Sequence, residues 1–372
     1  MDFHSSHRKE FLLPTVSVII PVRDGARYIG EALQSILDQD LADIEVVVVD
    51  DGSSDDSAAI ATAIGTGDSR VKVVANAGKG IVDALNMGIS LARAPLVARM
   101  DCDDVSLPAR LRLQVACFAA DPDLQLLGTA GLQIDQDGKP LRPVDVPTGN
   151  EQLRSALARY NPMLHPTVMF RVEAVRRLGG YRPAFTYAED YDLWLRLSET
   201  GKLANIDARL VKLRSHPGQV SRVNEDQQKA AGALARQSAL WRRARAEPFD
   251  VSGQPAHAVR IFLAWRAATG LSVSRLERRD IELMLRTPGI PLAITCKLLF
   301  LAAVGQPSLR TLALGPRLAW RKMTARPATS SSRLTPTARG LALLPCSLDA
   351  GGHQDYPPST ASGAAIDEGE RS

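Results

Sequence analysis

Leu96-Val97-Ala98-Arg99-Met100-Asp101-Cys102-Asp103-Asp104 runs from an apolar stretch straight into three carboxylates within four residues. The apolar half reads as a buried strand and the acidic half as the turn at its exit. Like charges crowded at a strand end repel one another, and a divalent cation relieves that repulsion. Carboxylate oxygens are hard ligands that suit a hard ion. Well downstream, Glu189-Asp190 opens a second, amphipathic segment. Two acid groups that reach one crevice can divide a reaction between them. The first would hold a metal on a diphosphate, and the second would take a proton from a nucleophile.

Working outward, Val16-Ser17-Val18-Ile19-Ile20-Pro21 is a β-branched run that stops at a proline, as a buried parallel strand does. A helix is predicted over 28–40, and Ile44-Glu45-Val46-Val47-Val48-Val49 is the second strand, ending in Asp50-Asp51-Gly52-Ser53-Ser54. Ser53, Ser54 and Asp55 are natural caps for a helix reaching about residue 64. A third strand follows at 71–74, and Asn76-Ala77-Gly78-Lys79-Gly80 turns into a helix over 81–91. Strand and helix alternate to about residue 130, which predicts an α/β fold with a mostly parallel sheet flanked by helices. Ligands of such sheets collect beyond the carboxyl ends of the strands. Pro21, Asp50, Asp51, Asp101 and Asp103 all fall there. Residues 131–165 read as irregular around a turn at 135–140. A short strand at 165–170, helices over 172–178 and 188–200, and a strand at 210–213 follow.

The chain of 372 residues is 45% hydrophobic and carries a formal charge of +4, enough apolar content for a sizeable core. That net charge hides an asymmetry. Residues 231–345 hold roughly 18 basic against 5 acidic side chains, whereas 1–230 are mildly acidic. The expected organisation is an arm at 1–13, a catalytic domain at 14–225, a helical basic appendage at 226–323 and a disordered tail at 324–372. A basic appendage points to an anionic surface, either lipid headgroups or nucleic acid. Little aromatic residue is interleaved for base stacking, so nucleic acid is not favoured. Four dispersed cysteines form no C-x-x-C pair and fit a reducing compartment. The N-terminus lacks a signal-peptide core. The most apolar segment, 290–304, is broken by Pro291 and Lys297 and is shorter than the ~20 residues a span needs. These features predict a cytoplasmic protein, peripheral at most on the inner membrane.

Four markers, in order, carry a family resemblance: Ser17-Val18-Ile19-Ile20-Pro21, Val49-Asp50-Asp51-Gly52-Ser53, Asp101-Cys102-Asp103-Asp104 and Glu189-Asp190-Tyr191-Asp192-Leu193-Trp194. Together they resemble glycosyltransferase family 2 over roughly residues 14–222. The resemblance implies a GT-A, Rossmann-like fold and inverting, metal-dependent transfer of a hexose from a nucleotide-diphosphate donor. It puts Asp51 on the base with Asp50 close by, and brings Pro21, Val22, Arg23 and Asp24 to the nucleotide. It puts Asp101 at the ribose and with the metal, and makes Asp103 a ligand of Mg²⁺ or Mn²⁺ with Asp104 in support. Asp190 becomes the general base, with Glu189 nearer the acceptor or the metal. His216, in Arg214-Ser215-His216-Pro217, is like the family's late histidine loop over the diphosphate, and so joins the metal and nucleotide residues.

Plainer readings stand beside these. Asp50 and Asp51 also suit helix capping, Asp24 a turn, and Glu189 and Asp190 the positive end of a helix dipole. Lys79 precedes a helix whose free N–H groups suit a phosphate, but it also reads as a solvated loop lysine. His165 and His216 are two of six histidines, and a lone histidine is more often structural. Gln237-Ser238-Ala239-Leu240-Trp241 lacks the arginine of the processive branch's Gln-x-x-Arg-Trp motif, which implies single additions. The usual context of such enzymes is cell-surface polysaccharide assembly on a glycan or lipid-linked acceptor, with a UDP-sugar donor. A sugar nucleotidyltransferase is the rival enzyme. It would want a Gly-rich basic loop after the first strand, where Pro21-Val22-Arg23-Asp24-Gly25 offers one arginine and one glycine.

Overall fold

Valine and isoleucine fill the first strands because both faces of the sheet are covered. The structure, a computed structural model, describes residues 13–76, 79–217, 225–245 and 275–286, with Val259, Leu263, Pro291 and Ile294. Strand β1 (Val16–Val22) is buried throughout, and β2 (Ile44–Asp50) is buried to its last residue. With β3 (Val71–Ala75) and β4 (Leu96–Arg99) they form a parallel block in the order β3-β2-β1-β4. Helices α1 (Ile29–Leu37), α2 (Ser57–Gly67) and α3 (Ile81–Leu91) make the crossovers. The carboxyl ends of β1, β2 and β4 therefore meet at one edge.

The second half extends the same sheet. It comprises β5 (Val105–Ser106), α4 (Arg110–Ala120), β6 (Leu124–Ile134), β7 (Pro140–Val144), α5 (Asn150–Leu157), β8 (Met169–Arg171), α6 (Val172–Arg177), α7 (Glu189–Leu197) and β9 (Lys202–Arg214). Strand β8 joins β4 to β6 with antiparallel pairing on both sides. Strand β6 then runs parallel to β9 along its length, so most paired residues lie in parallel ladders. Strand alternation separates two apolar layers. Val16, Val18 and Ile20 face the cluster holding Ile29, Leu33 and Leu111, while Ile19 faces the cluster holding Leu85, Phe170 and Trp194.

Residues 131–165 are more regular than their sequence signals. Strand β6 carries Gly128 and Gly131, which weaken its β pattern. The glycines are needed for close approach. A Cβ at Gly128 would stand 2.2 Å from Asn205 Oδ1, and one at Gly131 2.7 Å from Leu213 Cδ1. The same ladder lengthens β9 well beyond 210–213.

Helices α8 (Glu225–Arg245) and α9 (Arg275–Met284) fall within the basic appendage. Helix α8 packs on α7, burying Ala231, Leu234, Ala235 and Ala239 in the cluster that holds Trp194. Arg236 forms a buried ion pair with Asp280 of α9, and Gln237 Nε2 donates to the same carboxylate at 2.8 Å. Among the described residues, no helix is long and apolar enough to cross a membrane. The N-terminal arm through residue 12, the apolar segment 290–304 apart from Pro291 and Ile294, and the tail 324–372 lie outside the described residues.

Gly88 sets how closely α3 sits on β1, because a Cβ there would lie 2.5 Å from Ile19 Cγ2. Thermal or urea unfolding of Gly88→Ala should show a loss of about 1–3 kcal/mol, the usual cost of overpacking.

Candidate active site

At the β1–β2 edge, backbone and acid side chains build a rigid double loop. Pro21 and Val22 are buried, and the Val22 carbonyl accepts the Asp51 N–H at 2.8 Å. Asp24 adopts a left-handed backbone (φ 51°), and its Oδ1 accepts from Ser54 N at 2.7 Å and Ser54 Oγ at 2.9 Å. Asp24 thus zips the loop after β1 to the loop after β2. Asp50 Oδ1 accepts the Ser53 N–H at 3.2 Å, closing the turn at the exit of β2. Asp51 is buried. It accepts from Asn76 Nδ2 at 2.7 Å and from the Gly80 N–H at 3.0 Å, anchoring the turn that starts α3. Arg23 Nη1 donates to the Asp51 carbonyl at 3.1 Å and lies 3.8 Å from its carboxylate. Lys79 is exposed beside that turn.

The exit of β4 gathers the acid cluster. Carboxylate oxygens of Asp101, Asp103 and Asp104 lie within 4.8 Å of one another, and all three residues are buried. Burial, compounded by the neighbouring carboxylates, pushes Asp103 and Asp104 well above the usual carboxylate range. Asp104 Oδ1 accepts the Arg214 N–H at 2.8 Å, and Arg214 Nε donates to the Asp103 carbonyl at 2.8 Å. Strand β9 is thereby fixed to the cluster. His216 follows, its Nε2 3.1 Å from Asp103 Oδ2. Burial, then the Arg214 and Arg27 charges, lowers the His216 pKa, favouring the neutral ring that ligates metals. The Asp103 Oδ1 atom is buried with no hydrogen-bond partner among the described residues. Hard oxygens, mutual repulsion and that orphaned acceptor together fit a divalent cation.

The three acids of α7 have three different fates. Asp192 is sealed, ion-paired with Arg182 and, at 2.8 Å, with Arg196. Arg196 in turn donates to the carbonyls of Leu178 and Gly180. Glu189 is 1% exposed, and its Oε2 has no partner among the described residues. Only Asp190 keeps partial exposure, accepting from Asn161 Nδ2 at 2.7 Å and from the Tyr191 N–H at 2.6 Å. Desolvation raises Glu189 to about 7 and Asp190 to about 6. Tyr187, just before this pair, holds a left-handed backbone (φ 78°), a strained conformation for a bulky residue and of a kind that clusters at active sites.

Several residues at this edge carry no motif. Arg99 is 1% exposed and ion-pairs with Asp101, while its Nε and Nη1 have no hydrogen-bond partner among the described residues. Its charge also favours ionisation of Asp103, Asp104, Glu189 and Asp190, so both acid groups lie within its field. A charge inside an apolar strand was the available signal. Asn161 and the Tyr28 ring, 5.4 Å from the His216 ring, gave none. His165 is structural in its contacts: its Nε2 lies 3.0 Å from the Tyr181 hydroxyl and its ring packs edge-on to Trp194. Asn86, deeper in α3, brackets the Tyr181 backbone from both sides.

The profile of glycosyl transferase family 2 matches residues 17–178. The O-antigen biosynthesis glycosyltransferase WbnJ of Escherichia coli is 33% identical over 189 residues, which cover 50% of this chain and 72% of that one. The amylovoran biosynthesis glycosyltransferase AmsE of Erwinia amylovora is 34% identical over 194 residues, covering 52% and 72%. The crystal structure of Staphylococcus aureus TarS 1–349 superposes with a TM-score of 0.52 at 16% identity, covering 83% of this chain and 91% of that one. That likeness shows the fold.

The raised pKa values of Glu189 and Asp190 mean that the native protein holds these protons more tightly than the unfolded chain, whose carboxyls titrate near 4.5 and 3.8. Their contribution to stability is complete below about pH 4 and is lost as pH rises through about 7. In metal-free buffer, melting curves of Asp190→Asn should therefore gain on wild type as pH rises from about 4 to about 8. A constant gap would refute the assigned shifts.

Proposed function

The chain belongs to glycosyl transferase family 2, and on that premise we propose that it moves single sugars from a nucleotide-diphosphate donor to a hydroxyl of a glycan or lipid-linked acceptor. One observation carries this reading. The Asp101–Asp103–Asp104 cluster and the Glu189–Asp190 pair come from distant parts of the chain, yet the charge of one buried arginine acts on both. The relatives named for O-antigen and amylovoran biosynthesis support cell-surface polysaccharide as the product class. The acids of the β2 exit suit a uracil N–H and ribose hydroxyls, which favours UDP.

The mechanism follows from the division of labour among the acids. The acceptor hydroxyl attacks the anomeric carbon from the face opposite the nucleotide, and Asp190 takes its proton as the new bond forms. The bond to the diphosphate oxygen breaks with its electron pair, and the nucleotide diphosphate leaves. Asp101 and Asp103, with His216 beside them, would hold Mg²⁺ or Mn²⁺, whose charge offsets that of the leaving diphosphate. Glu189, buried against the base, sets the local charge, and Asp192 holds the turn that presents both. Arg23, Asp24, Asp50, Asp51 and Lys79 line the nucleotide end.

Release of nucleotide diphosphate from UDP-, GDP- and dTDP-sugars, with and without Mn²⁺, tests the reading. Asp103→Asn and EDTA should each abolish turnover while the fold is kept. Asp190→Asn should hold donor affinity and lower kcat by at least ~10²-fold. Wild-type turnover should fall on the acid side through pH values of about 6 to about 7, where the pair gains its protons. Full activity of Asp190→Asn would remove the base assignment.

The basic appendage is read as resting on the anionic cytoplasmic leaflet of the inner membrane, with the exposed Arg243 of α8 and Arg279 of α9 contributing. Reversing both to glutamate should lower sedimentation with anionic vesicles at ~0.15 M salt, where the screening length is about 8 Å. Equal sedimentation would leave these helices a packing role alone.

A further inference from the structure

Asp190 is gripped from outside its own helix by a loop that no sequence motif marks. Helix α5 ends at Leu157, whose carbonyl accepts the Tyr191 hydroxyl at 2.6 Å. The chain then turns back, and Asn161 Nδ2 donates to Asp190 Oδ2 at 2.7 Å. The orientation of the amide is set independently, because Asn161 Oδ1 accepts the Met163 N–H at 3.3 Å. With Oδ1 committed to the backbone, the NH₂ group must face the carboxylate. The Tyr191 N–H occupies the other oxygen, Oδ1.

We propose that Asn161 is a positioning residue for the acceptor-activating step, holding the Asp190 carboxylate in one rotamer and in its ionised form. The inference rests on Asp190 being the base. An amide can donate to a carboxylate without competing for its proton, and the bond exists only while that oxygen has a free lone pair. Oδ2 can still accept a second hydrogen bond, so an acceptor hydroxyl can meet the base while the amide remains in place. The charged and titratable groups that act on Asp190 from the surrounding elements are Glu189 and Tyr191 of α7, Arg99 of β4 and Tyr181 of the loop after α6. Burial and Glu189 work against ionisation, Arg99 works for it, and Asn161 contributes the donor that is not itself a charge.

The test needs no substrate. In pH-difference infrared spectra of the full-length, metal-free protein, the Asp190 carboxyl is the band missing from Asp190→Asn. Its midpoint should rise by about one pH unit in Asn161→Ala, as expected on losing a hydrogen bond to the charged form. Asn161→Asp keeps the size of the side chain and guards against loss of folding. It should move the midpoint further, because a second carboxylate then faces the first. An unmoved midpoint in both folded variants overturns the proposal. With whichever of the UDP-, GDP- and dTDP-sugars turns over, Asn161→Ala should lower kcat about tenfold or more with donor KM unchanged. Its acid limb should shift in step with the infrared midpoint. Undiminished turnover in Asp190→Asn would instead overturn the reading of Asp190 as base, whatever the midpoint does.

Discussion

The Arg99–Asp101 ion pair places one buried positive charge at the end of a central strand, and five carboxylates are arranged around it. A guanidinium withdrawn from water is costly unless its field is used, and here both acid groups lie within it. Its backbone is held as firmly as its side chain. The Arg99 N–H donates to the Val168 carbonyl at 2.9 Å, and Arg110 Nη2 donates to the Arg99 carbonyl at 2.7 Å. The charge cannot drift toward one group at the expense of the other. Buried nitrogens without partners mark where the protein has kept polarity at the expense of stability, as functional sites do.

The acids of α7 show how neighbours in sequence diverge in chemistry. Asp192 meets two arginines and becomes part of the scaffold. Glu189 is enclosed without a donor for one oxygen, so its ionisation is disfavoured. Asp190 has one amide donor on each oxygen and a face toward solvent. Helical spacing explains part of the sorting. Asp190 lies one and two residues from the others and so points away from both, whereas Glu189 and Asp192, three apart, share a face and differ in that Asp192 meets Arg182 and Arg196.

The parallel block and the acid cluster were readable because each is local: period, β-branching and strand-end turns occupy contiguous residues. The acids of 101–104 and 189–190 signalled themselves by density. What stayed hidden depends on contacts between distant segments. Asn161 reaches Asp190 across 29 positions with nothing around it to mark a loop as special. Strand β6 hid behind its own glycines, whose purpose is visible only once β9 lies against them. Asp24 and Asp51 were read as nucleotide ligands. Their carboxylates are also engaged in holding the loops after β1 and β2, so their part in binding includes shaping the backbone.

Helix α8 touches α7 at Tyr191, the residue that follows Asp190. A Cβ on Gly232 would be 3.6 Å from the Tyr191 ring, and the Arg236 guanidinium lies 5.8 Å from the centre of the same ring while holding Asp280 of α9. Tyr191 supplies the amide that fixes one oxygen of Asp190. The C-terminal helices therefore form the outer wall of the segment that carries Glu189 and Asp190. Recombination that exchanges them between relatives would alter the footing of Asp190, while the β1–β4 half could be inherited unchanged. In this chain, the sequence of the C-terminal helices and the set of the Asp190 carboxylate are mechanically linked.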